Sequence, residues 1–141
     1  MKIKLIFLGK KKNSLLNNLT MNYFSRIQKE INSDLVFSSN YNKKSSDINN
    51  DDIVILFDEK GKHYDSISFS KSLKKNIQNS PKRIVFIVGD AYGFPLDFYN
   101  RCDKIISLSK LTFTHEIARL IVVEQLYRAI MIIKNHPYHH E

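Results

Sequence analysis

Ile84-Val85-Phe86-Ile87-Val88-Gly89-Asp90-Ala91-Tyr92-Gly93 is the stretch that decides the fold class. Five apolar residues in a row, four of them β-branched, read as a strand covered on both faces rather than one washed by solvent. A glycine-bounded loop leaves it. The same pattern stands upstream at Ile53-Val54-Ile55-Leu56-Phe57, where Asp58-Glu59-Lys60-Gly61-Lys62 reads as a turn away from the strand. It recurs downstream at Lys104 to Leu108, which exits through Ser109 to Thr114. Ile3 to Leu8 is a further strand, followed by the basic turn Gly9 to Asn13, and Leu35 to Ser38 is a short one.

Helical periodicity fills the gaps between these strands. Ser14 is placed to cap a helix reaching Ile31, with Leu16, Leu19, Tyr23, Phe24, Ile27 and Ile31 at three- and four-residue steps forming one buried face. A second helix is expected from Ser68 to Gln78, and Pro95 opens a short one ending at Arg101. Thr114 caps the last, which runs to about Lys134 with Glu116 in its first turn. Strands alternating with helices predict an α/β fold with a mostly parallel sheet, as a single domain over residues 1–141. Asn40 to Asp52, dominated by Asn, Lys, Ser and Asp, lacks apolar residues to pack and reads as a mobile loop.

The last helix carries a second message. From Ile117 to Ile133 its apolar residues occupy every side of the helical wheel, and a helix apolar all round must be covered all round. The sheet covers one side; a second subunit is expected on another, which predicts a homodimer. The net charge of +8 favours a polyanionic partner, with nucleic acid first. A lone cysteine, Cys102, excludes an internal disulfide and fits a reducing cytosol. The apolar start ends at Gly9 and three lysines, too short for a secretory segment, and no run approaches the roughly 18 apolar residues of a membrane span. A cytoplasmic protein with no membrane partner is expected.

In open α/β sheets, ligands sit outside the carboxyl ends of the strands. Gly89 to Gly93 lies at such an end. It is neither a P-loop, lacking Gly-Lys-Ser/Thr, nor a dinucleotide fingerprint, whose glycine spacing differs. The tail, Asn135-His136-Pro137-Tyr138-His139-His140-Glu141, is denser in functional side chains. Pro137 interrupts any regular helix through the histidines, and no Cys or carboxylate stands at zinc-site spacing, so no metal site is expected. By residue pattern alone, a frayed His-rich terminus stays open beside a catalytic one.

Several motifs together resemble one family. They are Ser107-Leu108-Ser109 with Leu111-Thr112, then His115, Arg119, Glu124, Leu126-Tyr127-Arg128-Ala129, and Asn135-His136-Pro137-Tyr138-His139. Phe57-Asp58-Glu59-Lys60-Gly61-Lys62, Phe69, and Gly89 with Gly93 also fit. The pattern is similar to the bacterial ribosomal large-subunit pseudouridine N3-methyltransferases, the RlmH branch of the SPOUT class. The match is densest over residues 84–141, fair over 53–70, and thin before that.

The resemblance implies a knotted, trefoil-type α/β fold, a homodimer, and S-adenosylmethionine as cofactor. It implies a pseudouridine of 23S ribosomal RNA as substrate, meeting one subunit's cofactor and the other subunit's tail. Carried over by position, Leu56 and Phe57 wall the adenosine. Gly89, Asp90 and Gly93, with Ser107, Leu108, Ser109, Lys110, Leu111, Thr112 and Phe113, hold the cofactor largely through backbone. His139 and His140 are the candidates for work on the base proton, with Tyr138 beside them and Glu141 orienting them; His115 and Arg119 serve the same site or hold phosphate. Two positions depart from the usual pattern. Asp90 replaces a second glycine, and His140 stands where arginine is common. Two other classes remain open: an RNA- or ribosome-binding factor on this fold with methyl transfer impaired, and a different nucleotide-binding α/β protein without the knot. Lys10, Lys11, Lys12, Lys60 and Lys62 are the expected contacts to RNA phosphates.

Overall fold

Branched apolar runs become strands where their neighbours are other such runs, and five do so here. The computed structural model describes residues 2–39, 48–79 and 82–140. Strands β1 (Lys2–Leu8), β2 (Ser33–Ser38), β3 (Ile53–His63), β4 (Arg83–Val88) and β5 (Lys104–Ser107) form one sheet in the order β2-β1-β4-β3-β5. Every pairing is parallel. Helices α1 (Leu15–Glu30), α2 (Ser66–Asn79), α3 (Leu96–Arg101) and α4 (His115–Ile133) connect and cover it.

The period-two alternation of the central strands divides the core between two faces. Ile3, Leu5, Phe7, Ile84, Phe86 and Val88 point to one side, where Phe24 and Ile27 of α1, Phe69 and Leu73 of α2, and Val122, Val123 and Leu126 of α4 cover them. Ile6, Leu8, Val54, Leu56, Val85 and Ile87 point to the other, against Phe98, Tyr99 and Cys102 of the α3 region. Both faces of β4 are therefore shut, as its continuous apolar run predicts.

Two helix starts follow from their caps. Ser14 accepts from Asn17 N at 3.1 Å, and its hydroxyl also donates to Glu116 at 2.9 Å, which ties the start of α1 to the start of α4. Thr114 accepts from Ile117 N at 3.4 Å. Leu19 departs from its expected place on the buried face of α1, with 46% of its surface exposed; Asn17 and Thr20 are buried in that face instead. Thr20 manages this because its hydroxyl donates back to Leu16 O at 2.8 Å.

The largest difference from the sequence reading lies after Phe57. The expected turn, Asp58 to Lys62, is part of β3. Phe57 pairs with Ile106, residues 58–61 bulge out, and Lys62 and His63 resume pairing with Ile106 and Ser107. Gly61 permits this. A Cβ there would stand 2.6 Å from Ile105 C, 2.7 Å from Ile105 O and 2.7 Å from Ile106 C, all backbone atoms. Strand β2 begins at Ser33 and α2 at Ser66, each two residues earlier than the sequence suggests.

Of the expected mobile loop, residues 40–47 lie outside the described residues, but its end is anchored. Asp52 is buried, accepts from Asn49 N at 2.6 Å and pairs with Arg83 at 2.6 Å. Burial alone pushes the Asp52 carboxyl up; the Arg83 and Asn49 hydrogen bonds outweigh it and leave it below 3.8.

Candidate active site

The carboxyl ends of β3, β4 and β5 point the same way, because the strands are parallel. Their exit loops enclose a cleft of about 690 Å³. That volume suits a nucleoside-sized ligand. Phe57, Val88 and Leu108 supply apolar wall; Gly89 to Gly93 and Ser109 to Thr114 supply backbone. Each loop is braced internally. Asp90 accepts from Tyr92 N at 2.8 Å, and Gly93 N donates to Asp90 O at 3.1 Å with Gly93 at φ 81°. Ser107 donates to Ser109 O at 3.0 Å, and Ser109 accepts from Leu111 N at 3.0 Å. Thr112 donates to Glu59 at 3.3 Å, joining the β3 and β5 loops across the cleft.

Most of the expected cofactor positions meet here: Phe57, Gly89, Asp90, Gly93, Leu108, Ser109, Leu111, Thr112 and Phe113 line the cleft. Three do not. Leu56 is wholly inside the core with Val54 and Ile87, because strand alternation sends its side chain opposite to that of Phe57. Ser107 is buried beneath its loop, and Lys110 is exposed outside the lining.

Asp90 has no positive φ, since Asn135 is the one non-glycine residue with positive φ among those described. Replacing glycine with aspartate therefore strains no backbone at this position.

His115 lines the cleft as expected, and Arg119 does not. Arg119 is buried and donates to Leu8 O at 2.9 Å and Lys10 O at 3.4 Å, its guanidinium over Phe7 at 5.4 Å and Phe37 at 5.3 Å. It clamps the exit of β1 and so positions the basic turn, whose Lys12 reaches the cleft wall. Burial lowers the His115 pKa below 6.5, helped by the positive charges of Arg119 and Lys12.

A histidine whose folded pKa is depressed contributes stability present above 6.5 and lost as pH falls through its folded value. The melting temperature of the intact chain is therefore expected to fall more steeply between pH 7 and pH 5 than that of His115→Gln. Parallel curves in a thermal-melt series would overturn this.

Sequence reasoning missed Tyr99. From α3 it donates its hydroxyl to Asp58 at the cleft edge. Burial and the adjacent carboxylate raise the phenol to about 12, which keeps it protonated and donating. A tyrosine on a six-residue helix offers no periodic signal for that role.

The tail lies away from this cleft. Asn135, at φ 57°, ends α4: His136 N donates to Met131 O at 2.9 Å and Asn135 N to Ile132 O at 3.0 Å, a Schellman closure. The chain reverses and lays Tyr138 on Tyr127, ring centroids 4.8 Å apart. The Tyr138 hydroxyl donates to Glu124 at 3.0 Å, and burial and its hydrogen bonds raise its pKa well above 10. Arg128 holds Glu124 at 2.6 Å and meets His139 Nδ1 at 3.1 Å. None of Tyr138, His139 or His140 borders the cleft of its own chain, and Glu141 lies outside the described residues.

The family described as "Predicted SPOUT methyltransferase" matches residues 1–139. A Christiangramia forsetii protein named ribosomal RNA large subunit methyltransferase H is 40% identical, over 99% of this chain and 99% of its own. A protein of the same name from Flavobacterium psychrophilum is 39% identical over 100% of both. Those alignments run to 156 and 157 positions against 141 residues here, so the relatives carry residues that this chain lacks.

Among solved structures, a probable methylase family protein from Haemophilus influenzae superposes with a TM-score of 0.59, covering 99% of this chain and 70% of its own at 9% identity. A putative methyltransferase from Legionella pneumophila, solved with bound S-adenosylmethionine, gives 0.52 over 94% and 66% at 11% identity. These two show likeness of fold. With a parallel sheet, a cleft walled by its exit loops and a family match across nearly the whole chain, this protein belongs to the SPOUT methyltransferase family.

Proposed function

We propose that this chain is an S-adenosylmethionine-dependent methyltransferase acting on N3 of a pseudouridine in 23S ribosomal RNA, as a cytoplasmic homodimer of single-domain subunits. The observation that carries the reading is the cleft. Its walls are the stretches through which the chain resembles the ribosomal enzymes, and full-length relatives carry that name. The cleft fits the cofactor chemically: apolar walls for an adenine, loop backbone for its polar edge, and the carboxylates of Asp58, Glu59 and Asp90 for a cation. Bound S-adenosylmethionine would supply the electrophilic methyl of a sulfonium. The order β4-β3-β5 agrees with the knotted path that the family implies. Family membership overturns the reading as an unrelated nucleotide-binding protein. The absence of backbone strain at Asp90 weighs against an impaired binding factor.

Dimerisation supports the site as well as stability. The tail packs on its own α4, away from its own cleft, so a tail at the cofactor has to come from a partner. Leu15 and Ile117, each next to a residue of the Ser14–Glu116 hydrogen bond, are 88% and 37% exposed, an apolar surface suited to burial by a second copy. Light scattering at micromolar concentration is expected to give twice the chain mass; a monomer would sink the dimer.

Titration calorimetry with S-adenosylmethionine and its demethylated product tests the cofactor. No heat at millimolar ligand would leave the binding-factor reading. Mass spectrometry of ribosomal RNA from cells with and without the gene identifies the nucleotide.

The basic turn gives an independent test. Lys10, Lys11 and Lys12 are exposed, and Arg119 holds the Lys10 carbonyl at the start of that run. Neutralising all three is expected to weaken binding to ribosomal subunits and to flatten the salt slope by about one per lost phosphate contact. An unchanged slope places the RNA surface elsewhere.

A further inference from the structure

Tyr23 and Tyr127 pair with each other, Tyr138 lies on Tyr127, Tyr99 meets Phe94, and Tyr64 has the Lys62 and Lys104 ammoniums over its ring. Tyr92 alone among the described tyrosines stands clear, 95% exposed, with no ring, cation or hydrogen bond at its side chain. The loop that carries it is nonetheless closed on itself. An added Cβ at Gly89 would stand 3.0 Å from Gly93 O, and Asp90 bridges to Gly93. Asp90 holds the Tyr92 amide at 2.8 Å. Just beyond the loop, Phe94 is anchored on Phe98 and Tyr99, ring centroids 6.2 and 5.7 Å away. A braced turn thus presents an uncovered ring at the rim of the cleft that Tyr92 helps to line.

The surroundings of that ring suit a nucleic acid. Lys12 and Lys60, both exposed, line the same cleft, and Leu111 of the β5 exit loop adds an apolar side chain that is 72% exposed. An aromatic ring with ammonium groups nearby matches an unpaired nucleotide, with a π-face for its base and positive charge for its phosphates. The apolar walls Phe57 and Val88 are buried and serve the cofactor, whereas Tyr92 faces what arrives from solution.

We propose that Tyr92 is the stacking platform for the unpaired base that enters the cleft. The proposal rests on base methylation and adds to it the residue that receives the substrate. N3 lies on the pairing edge of a pyrimidine ring, so a base methylated there has left any helix and lost stacked neighbours. A ring already held in place returns one such neighbour at little ordering cost. Stacking is blind to the substituents of the base, so Tyr92 seats it and leaves recognition of its edge to other groups.

Methylation of ribosomal subunits by variants at this exposed position tests the role, because surface substitutions there spare the fold. Tyr92→Ala is expected to raise the KM for subunits about 10- to 100-fold, the usual worth of one stacked base, with kcat reduced far less. Tyr92→Phe and Tyr92→Trp keep a π-face and are expected to recover most of the loss. Tyr92→Leu, apolar but not aromatic, is expected not to. Ultraviolet cross-linking of the wild-type protein to subunits, read by mass spectrometry of its peptides, is expected to place a nucleotide adduct on Tyr92. Calorimetry is expected to give Tyr92→Ala the wild-type affinity for S-adenosylmethionine.

Methylation by Tyr92→Ala with a KM within a few-fold of the wild type, or adducts confined to other residues, would overturn the stacking role. Full activity in Tyr92→Leu would make the ring a plain apolar cover, and a monomer in light scattering of Tyr92→Ala would assign that cover to a second copy. A fall in S-adenosylmethionine affinity in Tyr92→Ala would assign the ring to the cofactor instead. A wild-type protein that transfers no methyl group to subunits would overturn base methylation itself, a result visible without any variant.

Discussion

Truncation after Tyr138, which removes His139 to Glu141, is expected to lower methylation of large ribosomal subunits by about 1,000-fold or more. Removing both candidate histidines takes away the proposed proton acceptor, and loss of a general base costs about 100- to 10,000-fold. The fold should hardly notice. His140 is exposed and His139, half-buried against Arg128, belongs to neither core, so the truncation removes one surface contact worth about 1 kcal/mol or less. Dimer mass and cofactor affinity should therefore persist.

The cut belongs after Tyr138 rather than before it. Removing Tyr138 as well would uncover the Tyr127 ring and take a hydrogen bond from Glu124, mixing a packing loss with a chemical one. Incorporation of labelled methyl groups into subunits, read beside light scattering and calorimetry, decides the matter. A truncated chain working within a few-fold of the intact one would return the tail to the status of a frayed end.

Gly61→Ala is expected to destabilise the fold by about 3 kcal/mol or more, at the upper end of overpacking costs. For a domain of this size that corresponds to a fall of roughly 10 °C in melting temperature. The added Cβ would lie 2.6–2.7 Å from backbone atoms of Ile105 and Ile106, and backbone within a sheet cannot rotate aside as a side-chain tip can. The nearest relief is to part the far end of β3 from β5. That would move both the Asp58–Glu59 edge of the cleft and the Ser109 to Thr114 loop opposite, so cofactor affinity should fall together with stability. Gly93→Ala provides contrast: its Cβ would meet Tyr99 Oη at 3.9 Å, an ordinary contact, and its cost comes from the left-handed backbone at φ 81°. A Gly61→Ala protein that melts like the wild type would mean that β3 does not continue past its bulge.

Much of the site was legible where chemistry and chain position coincide. The exit loops of the apolar runs formed the cleft because parallel strands present their carboxyl ends together. His115 was found there. Arg119 was not, although it sits one helical turn further along: its long side chain reaches back to the carbonyls at the end of β1. The tail histidines stood out in the sequence by composition but not by geometry. The partner of His139, Arg128, lies 11 residues back, and the pairing exists because Asn135 reverses the chain.

The sequence by itself determined which segments are strands and which are helices, and where α1 and α4 begin. Those features arise from burial periodicity and from caps that bond within three residues, both written locally. It also determined, through motifs carried by a family, the chemistry to look for. Only the tertiary structure decided that β3 runs past Gly61, that Tyr99 donates to Asp58 from 41 residues away, and that Arg128 meets His139. Such contacts depend on which backbone passes beside which once the sheet has assembled, in the order β2-β1-β4-β3-β5. A local pattern of apolar and polar residues records that a surface will be covered, but not by what.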